Sequence, residues 1–257
     1  MPELPEVETI VRALAPRLIG RRIVAARFTS KLVLRGRAAP PVAGKTIAGV
    51  SRYGKFIVFD LDGDGPRLLV HLGMTGKLLV DAEPTPYTRA VFRLGKGTLL
   101  FDDIRQFGRI ELAGALPALG PDPLELRAGE FSRMLREPRG RIKPLLLNQR
   151  FLRGLGNIYA DEALFRARVH PLADASRLGK RAPELHRAIV AVLRAAIEKG
   201  GSSIANYVDA EGRRGSFQLL HRVYGKAGRP CPRCGAAIRR IVVAQRGTHY
   251  CPECQRT

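Results

Sequence analysis

Cys231-Pro-Arg-Cys234 and Cys251-Pro-Glu-Cys254 are two Cys-x2-Cys pairs separated by sixteen residues, and they decide how the end of this chain folds. Four thiolates at this spacing are typical of a tetrahedral zinc site. Because protein ligands fill all four positions, none is open to water, and we expect one structural zinc ion. The segment between the pairs is expected to form a hairpin that turns near Gly247. The metal would supply most of its folding free energy, about 10–16 kcal/mol in zinc-finger peptides.

The composition of the whole chain indicates a polyanionic partner. Lys and Arg total 44 against 23 Asp and Glu, which gives a formal charge of +21 and a pI near 10.9. Most of these cations are guanidinium groups, which suit bidentate phosphate contacts. No apolar run approaches the roughly 18 residues of a membrane span, and the acidic, proline-containing start does not resemble a secretory signal. We therefore expect a cytoplasmic protein that binds nucleic acid and no membrane.

Hydrophobic patterning divides the 257 residues into four parts. Apolar residues at helical spacing between 5 and 19 predict a helix that kinks or stops at Ala15, before Pro16. Short strand-like runs follow between 22 and 112, which predicts a β-sandwich. We expect an N-terminal helix and sandwich at 1–115, a Pro- and Gly-containing linker at 116–125, a helical domain at 126–222 and a cysteine-containing zinc finger at 223–257.

Individual elements are predicted by short runs of sequence. Strand-like patterns lie at 23–34, 56–61, 68–72, 78–80, 90–94 and 98–101, and helical patterns lie at 127–135, 144–152, 158–168 and 183–199. Asn157 is expected to cap the helix from Ile158, after a glycine-containing turn. Backbone N–H groups at such a helix start bind phosphate readily, so this turn is a candidate phosphate site.

The first residues carry a pattern that suits covalent chemistry. Removal of Met1 would expose the secondary amine of Pro2, and an α-amino group has a reference pKa of about 7.7–8.0 against about 10.4 for Lys. Attack of this amine on a sugar C1′ forms an iminium, whose fixed charge acidifies C2′ and drives β-elimination of the 3′ phosphate. Glu3 lies beside it as an acid, and Glu6 is placed to steady the turn by hydrogen bonds. Met-Pro openings are also common without catalysis, so the pattern alone does not decide between these interpretations.

Two predicted loops carry side chains of the kind that enter a base stack. His71-Leu-Gly-Met74 and Arg105-Gln-Phe107 each place a large apolar side chain outside clear periodicity. Met, Phe and Arg on exposed loops can wedge into a base step that a flipped nucleotide has left. Core packing of Met74 is the alternative that the residues leave open.

Six motifs taken together resemble the formamidopyrimidine-DNA glycosylase family over essentially the whole length. They are Pro2–Thr9, Gly54–Phe56, His71–Met74, Arg105–Gly108, Gly154–Glu162 and Gln245–Cys251. The resemblance implies an α+β, two-lobed fold. In this fold an N-terminal helix lies on a β-sandwich, a helical domain carries a helix–two-turn–helix motif and ends in a zinc-finger hairpin, and DNA binds in the cleft between the lobes.

The resemblance also implies roles for individual residues. Pro2 is then the nucleophile and Glu3 the acid at the sugar, while Lys55 and Arg246 complete the catalytic set by clamping the phosphates beside the lesion. The implied DNA-binding set is Glu6, which supports the catalytic residues, and His71, Met74, Arg105, Phe107, Lys143, Asn157 and Tyr224. Met74, Arg105 and Phe107 fill the void, with Arg105 facing the estranged cytosine. The loop at 210–217 would cover the everted base, and the zinc ligands are Cys231, Cys234, Cys251 and Cys254.

Two positions depart from the family pattern. Ile104 and Gln106 stand where family members usually carry Pro and Arg. We expect the first difference to loosen the turn and the second to remove a charge beside the void-filling residues. Both bear on lesion discrimination or opposite-base preference more than on activity.

The sequence therefore predicts a monomeric bacterial DNA glycosylase and abasic-site lyase, associated with the nucleoid through DNA. It would excise oxidised purines, such as 8-oxoguanine and formamidopyrimidines, from duplex DNA through a Pro2 iminium and β,δ-elimination. One alternative is an endonuclease VIII-type enzyme for oxidised pyrimidines, which Leu4 disfavours because that branch tends to carry Gly there. The other is a non-catalytic zinc-finger DNA-binding protein, against which the joint presence of Pro2, Glu3 and Lys55 argues.

Overall fold

The structure of the protein is a computed structural model that describes residues 1–62, 65–137, 140–203 and 214–256. It divides into two compact units. The first comprises Met1–Pro117 and Lys199–Gln218, and the second comprises Ala118–Glu198 and Leu219–Thr257. Within the described ranges no helix has the length and apolar character to cross a membrane. The mixture of helices and sheets confirms the α+β class, and the four-part domain limits given above stay a prediction.

The first unit combines one helix with two four-stranded antiparallel sheets. The sheets have the strand orders β1-β6-β7-β5 and β2-β3-β4-β8. Its elements are α1 (Leu4–Leu18), β1 (Ile23–Phe28), β2 (Ile47–Tyr53), β3 (Phe56–Leu61), β4 (Arg67–His71), β5 (Lys77–Val80), β6 (Thr88–Leu94), β7 (Thr98–Asp102) and β8 (Arg109–Ala113). One apolar core contains residues of α1 and of both sheets, which confirms the predicted helix and sandwich.

The apolar face of α1 explains why this helix continues past its internal proline. Pro16 lies inside the helix, yet the helix does not stop at Ala15, and it continues to Leu18. Leu14 and Leu18 are both completely buried, so packing against the sheets holds the last turn. The N–H of Ile19 still donates to the carbonyl of Ala15, and the helix ends there because the ψ of Ile19, 132°, is not helical.

The second unit contains four helices and one hairpin among its described residues. They are α2 (Ala128–Met134), α3 (Ile142–Leu147), α4 (Asn157–Arg166), α5 (Arg181–Glu198), β9 (Arg239–Val243) and β10 (Arg246–Tyr250). Short 3₁₀ turns occur at Ala175–Arg177 and at Phe217–Leu220. The second of them contains the boundary at which the chain passes from the first unit to the second. α4 packs against α3, α5 and β10, so the helix that begins at Asn157 also supports the hairpin.

The turn of the hairpin lies before the position predicted from the sequence. Val243 pairs with Arg246, which leaves Ala244 and Gln245 as a two-residue turn with φ of +47° and +59°. Positive φ at both positions is what a type I′ turn requires. Gly247 instead lies within β10, where a Cβ would come within 3.0 Å of the Arg240 guanidinium. The glycine therefore permits a close side-chain approach and does not form the turn.

Candidate functional site

Two buried carboxylates lie at the start of α1, Glu3 as its N-cap and Glu6 in its first turn. Glu3 and Glu6 are 4% and 2% exposed, and Pro2 is buried beside them. The backbone N–H of Glu3 donates to Glu6 Oε2 at 2.8 Å, and the N–H of Ser202 donates to Glu6 Oε1 at 2.7 Å. The hydrogen bonds expected of Glu6 are therefore present. Ser202 is a partner that no sequence pattern indicated.

The surroundings of the chain terminus favour an uncharged amine. Burial lowers the pKa of the Met1 amine, and the carboxylates of Glu3 and Glu6 oppose this shift. The cations Lys55 and Arg105 add to the lowering. The first unit thus brings two predicted site cations into the field of the terminal amine. A neutral amine is the form that acts as a nucleophile.

His71 lies at the end of β4 within a group of cations. Burial, together with the charges of Arg109, Lys55, Arg35 and the chain terminus, lowers its pKa to about 4. Its Nδ1 accepts a hydrogen bond from the N–H of Gly73 at 3.2 Å, so Nε2 carries the proton of the neutral ring. The ring is therefore a neutral donor among positive charges, an arrangement that suits a phosphate oxygen. Arg35 and Arg109 are members of this group that the sequence analysis missed.

Met74, Arg105 and Phe107, here called the void-filling side chains, lie together on two adjoining loops. The Arg105 guanidinium is 4.6 Å from the centroid of the Phe107 ring, and its Nη1 is 3.5 Å from Met74 Sδ. Met74 and Phe107 are 46% and 47% exposed, so the interpretation of Met74 as a core residue is wrong.

The loop with the two family departures is fixed by hydrogen bonds. Gln106 has a φ of +55°, and its Oε1 accepts a hydrogen bond from Ser30 Oγ. Arg35 donates to the carbonyl of Phe107 at 3.3 Å. These two contacts hold the turn that Ile104, itself 47% exposed, was expected to loosen.

In the second unit Asn157 connects a helix start to the hairpin. The N-cap of α4 is Gly156, so the prediction that Asn157 caps this helix is wrong. The side-chain Nδ2 of Asn157 instead donates to the carbonyl of Gly247 at 2.9 Å. Because Gly247 follows the exposed Arg246, this bond fixes the backbone beside the predicted phosphate clamp.

Lys143 lies inside the second unit, which corrects the expectation of a basic residue on a DNA-contacting face. Its side chain is completely buried, with Nζ 2.5 Å from Asp161 Oδ1 and 2.7 Å from Thr248 Oγ1. The other oxygen of Asp161 accepts the N–H of His249 at 2.8 Å. A buried carboxylate needs such a counter-charge, and the ammonium is held there for that reason.

Glu162, the next residue of α4, fixes the segment that contains Tyr224. Its carboxylate accepts the N–H groups of Arg222, Val223 and Tyr224 at 2.8–3.0 Å. Burial raises the pKa of Glu162, and these three donors oppose the shift. The Tyr224 ring is edge-on to His249, with centroids 5.1 Å apart. Asp161 and Glu162 end one of the six motifs, but their spacing does not reveal these partners.

The four predicted metal ligands converge in the second unit. Their Sγ atoms all lie within 4.8 Å of one another, and none of the four is in a disulfide. Two of the separations are 3.9 Å, between Cys231 and Cys254, and 3.4 Å, between Cys234 and Cys251. Tetrahedral zinc with Zn–S bonds of about 2.3 Å requires sulfur atoms about 3.8 Å apart, so the donor set fits. The four cysteines hold one structural zinc ion.

Comparison with known proteins agrees with this geometry. Three family models match: the formamidopyrimidine-DNA glycosylase N-terminal domain at 1–110, its H2TH domain at 119–208, and the zinc finger found in FPG and IleRS at 228–257. The formamidopyrimidine-DNA glycosylase of Solibacter usitatus is 54% identical, with both chains covered completely.

Two solved structures from Lactococcus lactis are also similar. A mutant FPG bound to Fapy-dG-containing DNA superposes with a TM-score of 0.91 at 39% identity, covering all of both chains. Fpg bound to DNA with an abasic site gives a TM-score of 0.90 at 39% identity, covering 99% of this chain and 100% of the other. With matching models along its length and a relative identical at more than half of its positions, the chain belongs to the formamidopyrimidine-DNA glycosylase family.

Proposed function

We propose that this protein is a DNA glycosylase and abasic-site lyase that removes oxidised purines from duplex DNA. Family membership supports this activity, and so do the similar proteins that bind DNA with Fapy-dG or an abasic site. The observation that carries the proposal is the first turn of α1. There Pro2 is buried beside the buried Glu3 and Glu6, and burial lowers the pKa of the Met1 amine that precedes it.

The proposed reaction begins after removal of Met1. The amine of Pro2 attacks C1′ and loses its N–H proton, the glycosidic bond breaks, and the base leaves with the bonding electrons and accepts a proton. Glu3 donates a proton to the ring oxygen as the sugar opens and the nitrogen becomes an iminium. Loss of a proton from C2′ then expels the 3′ phosphate, and a second elimination expels the 5′ phosphate, which leaves a one-nucleotide gap. Water hydrolyses the remaining iminium, which releases the sugar fragment as an aldehyde and frees the Pro2 amine. Glu6 supports this chemistry by fixing the turn through Ser202.

The other predicted residues are proposed to bind DNA. Lys55 and Arg246 contact phosphates, and His71 donates from its neutral ring. The void-filling side chains enter the base stack in place of the everted nucleotide. Asn157 and Tyr224 act through the segments that they hold, and Lys143 is a positioning residue for the hairpin, since its ammonium is buried against Asp161. Residues 210–213 of the predicted cover loop lie outside the described residues.

Its substrate determines where the enzyme works. Chromosomal DNA lies in the bacterial nucleoid, so we propose that the protein acts there, in the cytoplasm. The formal charge of +21 supports binding to DNA without sequence preference, which a search for rare lesions requires. We propose that it acts as a monomer.

Borohydride trapping tests this function. The full-length protein is incubated with duplexes that contain 8-oxoguanine opposite cytosine, thymine glycol or an abasic site, and peptide mass spectrometry locates any adduct. We expect an adduct on Pro2 with 8-oxoguanine and with the abasic site, and none after Glu3→Gln with 8-oxoguanine. An adduct with thymine glycol but not 8-oxoguanine would indicate the endonuclease VIII-type activity. No adduct with any duplex would indicate a binding protein without catalysis.

A further inference from the structure

One buried carboxylate joins the two loops that carry the void-filling side chains. Asp103 is completely buried, and Thr75 is 8% exposed. The Thr75 hydroxyl donates to Asp103 Oδ1, and the N–H of Gly108 donates to Asp103 Oδ2 at 2.8 Å. Thr75 Oγ1 in turn accepts the N–H of Arg105 at 3.1 Å. We propose that Thr75 and Asp103 are positioning residues for base eversion, an inference that rests on the proposed function.

These bonds hold the backbone next to each void-filling side chain. Thr75 directly follows Met74, while Asp103 and Gly108 flank the loop that carries the other two. The carboxylate therefore closes the 103–108 loop on itself and attaches it to the 72–76 loop at the same point. Since the hydroxyl of Thr75 is donor and acceptor at once, its removal breaks both the link to Asp103 and the link to Arg105.

Backbone contact between the loops adds to this restraint. A Cβ at Gly73, where φ is +61°, would lie 2.5 Å from the carbonyl carbon of Phe107 and 2.6 Å from the nitrogen of Gly108. Within the 72–76 loop, a Cβ at Gly76 would lie 2.3 Å from the carbonyl oxygen of Leu72, so this loop is itself tightly closed. The two loops therefore pack backbone against backbone at Gly73, a contact that a side chain at this position would disrupt.

A fixed arrangement favours insertion into the base stack. Free energy spent on ordering a loop during binding is lost from the affinity and from the rate of the step that needs it. Eversion of a paired lesion breaks its stacking and pairing, and the void must be filled at that moment. A preformed abasic site has no base to unstack, so its cleavage depends less on these loops.

Thr75→Val tests the proposal because it keeps the side-chain shape and removes the hydroxyl. We expect single-turnover excision of 8-oxoguanine opposite cytosine to fall about tenfold or more, since small misplacements of positioned groups have effects of that order. Cleavage of a preformed abasic site should fall less than about threefold. The measured quantity is the rate constant for 8-oxoguanine excision divided by that for abasic-site cleavage. A general loss of stability would leave this ratio unchanged.

Thr88 provides a matched control in the same unit. Its Oγ1 donates to Asp102 Oδ1 at 2.6 Å and accepts the N–H of Thr85 at 2.8 Å, and the residue is 7% exposed. Thr88→Val therefore removes the same pair of bonds from a buried Thr–Asp contact that fixes residues 85–88. Both variants should lower the melting temperature, and only Thr75→Val should lower the ratio.

An equal ratio in the two variants would overturn the inference. Thr75→Ser keeps the hydroxyl and should return the ratio to the wild-type value. If Thr75→Val does not fold, Asp103→Asn keeps an acceptor for Thr75 but loses that for Gly108, and it should still lower the ratio. A wild-type protein that neither excises 8-oxoguanine nor cleaves abasic sites would contradict the proposed function itself.

Discussion

The carboxylate of Glu6 joins the first turn of α1 to Ser202, a residue 196 positions further along the chain. Gly201 makes this approach possible. It has a φ of +80°, and a Cβ there would lie 2.8 Å from Glu6 Oε1 and 2.9 Å from Glu6 Cγ. The position of the catalytic turn therefore depends on a glycine remote from it in sequence.

Gly201→Ala should displace Glu6 and reduce base excision. We expect a loss of about 1–3 kcal/mol in the free energy of unfolding, from the left-handed backbone and from the crowded carboxylate. Gly20→Ala is the control, since Gly20 has a φ of +83° and nothing within 4 Å of its added Cβ. Urea unfolding and single-turnover excision measure both effects. Equal excision by the two variants would show that Glu6 tolerates the displacement.

His71 predicts a pH dependence of stability. Its pKa is about 4 in the folded protein against 6.5 ordinarily, so the unfolded chain binds the extra proton between these values. Stability therefore falls as pH drops from 6.5 towards 4, and the contribution of His71 at pH 5 is about 2 kcal/mol lower than at pH 7. Urea unfolding of wild type and His71→Gln at both pH values should show the smaller loss in the variant. An NMR titration midpoint of the His71 ring near 6.5 would contradict this.

The buried pair of Lys143 and Asp161 should be costly to break from one side. Lys143→Met leaves a buried carboxylate without its cation and should lower the free energy of unfolding by about 3–5 kcal/mol. The double variant with Asp161→Asn should lose less than the sum of the two single changes. Arg256→Met is the control, because its partner Glu253 is exposed and such pairs contribute about 0–1 kcal/mol. Additive losses in the double-mutant cycle would exclude coupling.

Arg246 should contribute one phosphate contact to DNA binding. Each neutralised phosphate adds about −0.9 to the slope of log affinity against log salt concentration, so Arg246→Ala should reduce the slope by about one. Arg246→Lys keeps the charge and should keep the slope. Fluorescence anisotropy with a lesion-containing duplex at several salt concentrations provides the measurement, and an unaltered slope in Arg246→Ala would exclude the contact.

Zinc removal should unfold the hairpin and leave the sandwich intact. Among the described residues, the apolar cluster around the cysteines has five buried members. Two of them are zinc ligands, and the other three are Phe165, Val223 and Ile238. With so small a core, the metal is the main source of stability there. We expect a chelator, or Cys234→Ser, to abolish tight DNA binding while the thermal transition of the first unit persists. Calorimetry with zinc analysis tests this, and tight binding by zinc-free protein would contradict it.

Elements with strong local signals were predictable from the sequence. β3 was predicted at its observed limits, because its run of β-branched and aromatic residues has no competing helical pattern. β2 and β8 were not identified, since Gly49 interrupts one and partly exposed residues make up most of the other. The cysteine spacing likewise predicted the zinc ligands, because ligand chemistry restricts that pattern strongly.

Long-range partners were not predictable in this way. Thr75 and Asp103 are 28 residues apart, and Lys143 and Thr248 are 105 apart. Such pairs depend on which side chains the folded chain buries together, and a single sequence does not record this. Lys143 was interpreted as a DNA contact for that reason, although its burial beside Asp161 makes it a structural counter-charge inside the second unit.

The division of the chain has a consequence for protein dissection. The polypeptide passes from one unit to the other after residues 117, 198 and 218. A fragment that ends at Pro117 would retain Glu6 but not the Ser202 N–H that this carboxylate accepts. A single cut after Pro117 therefore cannot release an autonomous catalytic half, because the 199–218 segment of the first unit stays with the other fragment.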